Sequence, residues 1–91
     1  MNIDKSLVQE LRDLAAAGAT ASELLVFIQE RMGAVRTSFR LFAIVHFQEA
    51  FQLSFVDAMR IGAADVFPGG AMTPDELDTQ MEAVLRKRSD A

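Results

Sequence analysis

The residues with the clearest capacity for chemistry are His46 and Glu49, which lie three positions apart. A histidine beside a carboxylate can act in acid–base catalysis or ligate a metal ion. A metal site needs three or four ligands, and the chain offers no second histidine and no cysteine. Ser38 and Ser54 flank opposite ends of the segment that carries His46, which disfavours a serine nucleophile. We therefore expect a buried or half-buried structural His46 bonded through one ring nitrogen, and no catalytic, cofactor-binding or metal-binding residue.

Acidic residues concentrate in the second half of a chain whose net charge is −4 and whose pI is about 4.8. Between Glu49 and Glu82 one base, Arg60, stands among seven acids. These are Glu49, Asp57, Asp65, Asp75, Glu76, Asp78 and Glu82. Such a surface attracts a basic partner and repels an acidic one. An ordinary solvated helix face explains the same pattern, since several of these acids suit the first turns of helices.

A loop beside these acids contains Phe67, Met72 and the breakers Gly69 and Gly70. Large apolar side chains mixed with carboxylates are typical of a protein-binding site. Phe67 either joins such a patch or folds back over the core, and burial is the favoured position. The candidate partner-contact residues are Asp65, Phe67, Asp75, Asp78 and Glu82.

Nucleic-acid binding is the rival hypothesis, because the two helices around Ser54 could imitate a helix-turn-helix. Arg31, Arg36 and Arg40 cluster near one junction, and Arg60 lies on the second helix. If these arginines share one face with that helix, the hypothesis gains support. The negative net charge opposes binding to phosphates, so we expect a protein partner and no nucleic acid.

Helix-start signals divide the chain into five elements. Thr20, Ser54 and Thr73 are each followed three residues later by an acid, the spacing of a capping box. Apolar residues recur at helical spacing between these signals, and no segment alternates with period two. The pattern predicts helices over about Asp4–Ala17, Ala21–Met32, Thr37–Phe51, Phe55–Ile61 and Pro74–Arg88.

The third helix is the centre of the expected fold. Residues 38–51 read SFRLFAIVHFQEAF and are apolar in almost every direction on a helical wheel. A helix of that kind is buried all round, or its spare face is covered by a partner. We predict an all-α protein, a compact single-domain bundle of five helices packed around this segment and spanning residues 1–91.

Length and composition indicate what kind of protein this is. The length of 91 residues fits one domain with a real core. The acidic start lacks the features of a secretory signal, and no uncharged stretch approaches the ~20 residues of a membrane span. We expect a cytoplasmic protein without membrane contact.

The C-terminal half resembles a group of small bacterial all-helical proteins, most of them uncharacterised. The elements that carry the resemblance are Ala50–Ser54, Gly69–Gly70 and Thr73–Leu77. Some members of the group resemble the immunity partners of toxins in interbacterial competition. The resemblance implies no catalytic residues and no cofactor.

These observations favour a non-enzymatic protein-binding module, an immunity- or antitoxin-type inhibitor that sequesters a basic bacterial toxin or effector. An acidic rim would steer the partner, and an apolar centre would supply lasting affinity. A small DNA-binding regulator that uses the third and fourth helices is one alternative. A self-associating adaptor, a homodimer through the central helix, is another.

Overall fold

A computed structural model describes the backbone of residues 3–32 and 39–89, and the side chains of these residues up to position 86. Over these ranges the chain forms five α-helices and no strand beyond an isolated bridge between Ala64 and Met72. The helices are α1 (Lys5–Ala16), α2 (Ala21–Met32), α3 (Phe39–Phe51), α4 (Phe55–Ile61) and α5 (Pro74–Ser89). The predicted all-α bundle is confirmed, with α2 and α4 at their predicted bounds. The start that we predicted for α3, near Thr37, lies outside the described residues.

The predicted capping boxes form at two of the three helix starts. Thr20 and Glu23 exchange both backbone-to-side-chain bonds at the start of α2. Thr73 and Glu76 do the same before α5. At α4 the exchange is one-sided: the Ser54 hydroxyl accepts from the Asp57 N–H at 3.2 Å, while the Asp57 carboxylate turns towards Arg60. Aspartate is one methylene too short to reach back as glutamate does.

Helix α3 crosses the middle of the bundle and touches each of the other four helices. Its buried residues lie on one face and join a continuous apolar core. They are Phe39, Ala43, His46, Phe47, Ala50 and Phe51. Of the two predictions for this helix, burial on all sides is wrong, because Leu41 is 55% exposed and Val45 is half-buried. The other, a partner that covers the spare face, stays a prediction. Four neighbouring helices leave one side of α3 facing solvent.

His46 ties the N-terminus of α1 to the central helix. Its side chain is fully buried and stacks on Phe42 with 4.0 Å between ring centroids. The Asp4 backbone N–H donates to Nε2 at 2.9 Å, and Nδ1 lies 2.8 Å from the Phe42 carbonyl oxygen. Since Nε2 accepts, the proton sits on Nδ1 and the ring is neutral. Both ring nitrogens are thus bonded to backbone groups, one more than we predicted, and neither is bonded to the carboxylate of Glu49.

The C-terminus of α3 is closed by two features that are absent from the sequence-based prediction. Arg12, on α1, donates from Nε to the Ala50 carbonyl at 2.8 Å and from Nη2 to the Glu49 carbonyl at 3.3 Å. Gln52 adopts the left-handed conformation (φ 55°), which lets the Leu53 N–H reach the Gln48 carbonyl at 3.2 Å. A cation and a backbone turn thereby satisfy carbonyls that the helix itself leaves unpaired.

Candidate functional site

Helix α5 gathers three of the candidate acids on one of its sides. Asp75, Asp78 and Glu82 lie at helical spacing, so their side chains project in similar directions. The adjoining side of the helix carries Leu77, Met81 and Leu85, whose side chains are buried in the core. Packing of that apolar stripe against the bundle fixes the direction in which the acids point.

Small residues face these acids across a groove. The end of α1 and the start of α2 are joined by a tight turn in which Gly18 has a φ of 103°. The Ala19 N–H bonds to the Leu14 carbonyl and the Gly18 N–H to the Ala15 carbonyl, each at 3.0 Å. This is a Schellman turn, and glycine takes its left-handed position without steric cost.

The groove between this turn and α5 has a volume of about 470 Å³. Alanines and the glycine leave it open because their side chains are short. Its lining from the α1–α2 side is Ala15, Ala16, Gly18, Ala19, Thr20 and Ala21. Its lining from α5 is Asp75, Asp78, Thr79, Glu82, Leu85 and Arg86.

Asp78 has a structural partner within the groove. Its two carboxylate oxygens accept from the backbone N–H and the hydroxyl of Ser22, each at 2.7 Å. The Ser22 N–H belongs to the first turn of α2, where the helix supplies no acceptor. Both oxygens of Asp78 therefore accept a hydrogen bond within the chain, and the negative charge also contributes to the field of the groove.

Asp75 and Glu82 form the exposed rim of the groove. Asp75 is exposed in the first turn of α5, and Glu82 pairs with Arg86 at 2.8 Å through side chains that are 60% and 74% exposed. Three carboxylates thus stand against one guanidinium. The helix termini at the groove offset one another, because the end of α1 carries a partial negative charge and the starts of α2 and α5 carry partial positive charges. The excess of carboxylates is therefore what favours a cation in the groove.

Glu76 lies beside the groove but has a capping role. Its carboxylate accepts the Thr73 N–H at 3.0 Å. That backbone hydrogen bond, followed by the contact with the Thr73 side chain, holds the pKa of Glu76 below its ordinary value. The carboxylate is therefore committed to the start of α5.

The structure separates Asp65 and Phe67 from the three groove acids. Asp65 is exposed on the loop between α4 and α5, and its N–H donates to the Met72 carbonyl at 2.8 Å. Phe67 is buried, with 3% of its surface exposed, and its ring lies 4.9 Å from that of Phe39. Of the two positions considered for Phe67, the structure shows the buried one, so the mixed apolar and acidic patch around an exposed Phe67 does not form.

The loop holds Phe67 in place through its backbone. The Phe67 N–H bonds to the Ala64 carbonyl, and Arg40 both covers the Phe67 ring at 5.3 Å and donates to the Pro68 carbonyl. A side chain on Gly70 would overlap with the Ala64 carbonyl, which explains the glycine there. Through these contacts the loop covers the first turn of α3.

The arginines that favoured nucleic-acid binding are engaged within the chain. Arg31 pairs with Glu10 and lies 3.8 Å from an oxygen of Asp4. Arg60 pairs with Asp57 at 3.1 Å, and Arg40 lies over Phe67. Arg36 lies outside the described residues. Among the described arginines, these contacts go to different elements and indicate structural roles.

Sequence reasoning missed an exposed apolar face on α4. Phe55 is 72% exposed, Val56 62% and Met59 46%. They lie at positions i, i+1 and i+4, while Ala58 and Ile61 turn inward. Apolar residues on both sides of a seven-residue helix were the available signal.

Within residues 3–32 and 39–89, no group of three or more His, Asp or Glu side chains is arranged to hold a metal ion. No helix in the same part of the chain has the length and apolar character to cross a bilayer. Comparison of the chain with protein-family models, with curated proteins and with solved structures finds no match.

Proposed function

We propose that this protein is a non-enzymatic binding module that holds a basic protein partner, in the manner of an immunity or antitoxin-type inhibitor. The observation that carries the proposal is the groove between the α1–α2 turn and α5, with Asp75 and Glu82 on its rim. The groove accepts a lysine or arginine side chain of the partner. The engagement of both ring nitrogens of His46 inside the core supports the non-enzymatic part of the proposal.

The shape of the groove supports a side-chain or chain-segment ligand. A volume of about 470 Å³ falls within the range of small-ligand sites. The wall on the α1–α2 side consists mostly of alanines, along which the methylene stem of a lysine or arginine packs. The charged head then reaches the rim carboxylates.

The negative charge of the chain would attract a basic partner before the two proteins touch. A net charge of −4 attracts a basic protein from a distance and raises the association rate at low salt. The rim acids then set the orientation. Because the rim is exposed, each of its charges contributes at most about 1 kcal/mol to the free energy of binding, in addition to its effect on the association rate.

Sequestration is the outcome that fits these features. An inhibitor works by occupying a surface of its target and needs no chemistry of its own. A 91-residue acidic chain with a packed helical core is well suited to this role. The partner class is therefore a toxin or effector with a basic active surface, such as an enzyme that acts on nucleic acid.

The direct test uses a defined probe. A short peptide rich in lysine and arginine is titrated into isotopically labelled protein, and amide chemical shifts are followed at low salt. We expect shifts in residues 15–21 and 75–86. The double variant Asp75→Lys/Glu82→Lys should weaken peptide binding by about tenfold or more, a change of about 1.4 kcal/mol. Asp78 is left unchanged because its substitution would remove the Ser22 contacts.

A matched control variant distinguishes the effect of the groove acids on binding from the effect of net charge. Glu30→Lys/Glu49→Lys makes the same change in net charge at two exposed acids outside the groove lining. This control should retain most of the affinity. Equal affinity of the groove variant and the control would contradict the proposal.

A further inference from the structure

Among the described residues, His46 is the one titratable residue that is buried in the core, and a basic partner in the groove does not touch it. Its Nε2 accepts the Asp4 N–H at 2.9 Å, and its Nδ1 lies 2.8 Å from the Phe42 carbonyl oxygen. A ring nitrogen accepts a hydrogen bond only while it carries no proton. The contact between the start of α1 and the middle of α3 therefore depends on the neutral form of the ring.

Asp4 is the residue from which the first turn of α1 is built. It is the N-cap of the helix: its carboxylate accepts the Leu7 N–H at 3.1 Å, and its carbonyl accepts the Val8 N–H at 3.0 Å. Both bonds depend on the extended backbone of Asp4, which has φ −84° and ψ 98°. The bond to His46 restrains the backbone in that conformation. Loss of this bond releases Asp4 from the position in which it caps the helix.

The acidic groups near the ring have other partners or are exposed. The Asp4 carboxylate caps α1 and lies 3.8 Å from Arg31, at the end of α2. Glu10 of α1 pairs with the same arginine. Glu49 of α3 is exposed, and its carboxylate is not bonded to the ring. A second proton on the ring therefore meets carboxylates that are already engaged or point to solvent.

The basic groups on the elements around the ring are also engaged or exposed. Arg12 of α1 donates to two carbonyls at the end of α3, and Arg40 of α3 lies over Phe67. Lys5 is exposed in the first turn of α1. The buried residues of α4 and α5 are all apolar. A proton on Nε2 thus places a new donor opposite the Asp4 N–H, in a setting where the nearby side chains already have their own contacts.

We propose that His46 makes the first turn of α1 sensitive to pH, because a proton on Nε2 breaks the bond to the Asp4 N–H and lets this turn open. Two N–H donors then face each other in place of a donor and an acceptor. Leu7 and Leu11 are fully buried and hold the rest of α1 in the bundle, so the opening is confined to the start of the helix. Histidine ordinarily changes its charge between about pH 5 and about pH 8, and the opening should occur in that interval.

Nuclear magnetic resonance of isotopically labelled protein between about pH 8 and about pH 5 tests the proposal. The nitrogen shifts of the imidazole show when the ring gains its second proton, and the chain has one histidine, so the signals are unambiguous. Over the same interval the hydrogen-exchange protection of the Asp4, Leu7 and Val8 amides should fall by about tenfold or more. Protection of the Phe47 and Ala50 amides, in α3, should stay unchanged.

Three results in the wild type would overturn the proposal. One is a ring that keeps a single proton throughout the interval. Another is unchanged protection at the start of α1 after the ring has gained its second proton. The third is a simultaneous loss of protection in all helices, which would be unfolding of the whole chain and not a local opening.

Two variants identify the group that is responsible. Glutamine can accept the Asp4 N–H through its side-chain oxygen and gains no proton in this interval, so His46→Gln should keep its protection at about pH 5. Asp4→Asn keeps an N-cap side chain and the backbone N–H but removes the carboxylate, so it should open as the wild type does. Far-ultraviolet circular dichroism checks that each variant is folded. Opening of a folded His46→Gln in acid, or no opening of Asp4→Asn, would overturn the proposal.

The pH response is independent of the basic-partner function. The lining of the groove begins at Ala15, near the other end of α1. The groove variant Asp75→Lys/Glu82→Lys should therefore show the same opening as the wild type. Failure of peptide binding and failure of the pH response have separate readouts.

Discussion

Asp78 on α5 holds the first turn of α2 by accepting two hydrogen bonds from Ser22, one from its backbone N–H and one from its hydroxyl, each at 2.7 Å. The two residues are 56 positions apart in sequence. Their contact fixes α5 against α2 and so sets the width of the groove. The carboxylate of Asp78 therefore has two roles: it shapes the groove, and it contributes to the negative electrostatic field there.

Replacement of Asp78 should destabilise the fold more than replacement of its exposed neighbour. Asp78→Ala removes two hydrogen bonds to a charged acceptor and should cost about 1.5–3 kcal/mol. Asp75→Ala loses mainly a favourable charge in the first turn of α5 and should cost about 0.3–1 kcal/mol. Urea unfolding followed by far-ultraviolet circular dichroism measures both, since the chain has no tryptophan or tyrosine. Equal costs would show that the Ser22 contact contributes nothing to stability.

His46 should stabilise the fold through the hydrogen bond that its Nε2 accepts. His46→Phe keeps an aromatic ring beside Phe42 but leaves the Asp4 N–H without its partner, which should cost about 1–3 kcal/mol. Glu49→Gln should change stability by less than about 0.5 kcal/mol, because Glu49 is exposed and does not bond to the ring. Nitrogen chemical shifts of the imidazole should report the Nδ1–H tautomer. A proton on Nε2 would contradict the assigned bond.

The helices and their starts were predictable because the signals that define them are local. Thr20 with Glu23 and Thr73 with Glu76 act over three residues, so their spacing in sequence predicts the bonds that form. Apolar residues at helical spacing then identify the inward side of α1, α2 and α5. The grouping of Asp75, Asp78 and Glu82 on one side of a helix follows from the same periodicity.

The contacts that join the helices are long-range, and sequence periodicity carries no information about them. The bond from Asp4 to His46 spans 42 positions, and that from Arg12 to Ala50 spans 38. In the sequence, the alanines that line the groove are typical of any helix. They form a groove wall only because the fold places α5 opposite them. Phe67 illustrates the same limit, since only the packing of its loop on Phe39 decides between exposure and burial.

Gln52 should be replaceable by glycine with a gain in stability. A non-glycine residue with φ near 55° meets steric repulsion between Cβ and backbone, which glycine avoids. Gln52→Gly relieves this repulsion, but it also gives the unfolded chain more conformational freedom, which favours unfolding. The net effect should be a rise of about 0.5–1 kcal/mol in the free energy of unfolding. Gln48→Gly, inside α3, is the control and should lower it by a similar amount. A loss of stability in Gln52→Gly would contradict the left-handed turn.

Glu76 should make stability depend on pH in the acidic range. Its pKa is lowered in the folded chain by the Thr73 backbone and side-chain bonds, so its contribution is fully present above the unfolded pKa. That contribution is lost as pH falls through the lowered folded pKa. Glu76→Gln, which can still accept the Thr73 N–H, should show a shallower loss of stability over this window. An identical pH profile in wild type and variant would rule out this contribution.

The measurement that tests the central claim most directly is a comparative capture from the native host at low salt. Tagged wild type, Asp75→Lys/Glu82→Lys and Glu30→Lys/Glu49→Lys are used side by side, and bound proteins are quantified by mass spectrometry. We predict one basic protein at a near-equal molar ratio on the wild type and the control variant, and its loss from the groove variant. Equal retention of that protein by the groove variant, or recovery of nucleic acid in its place, would contradict the account.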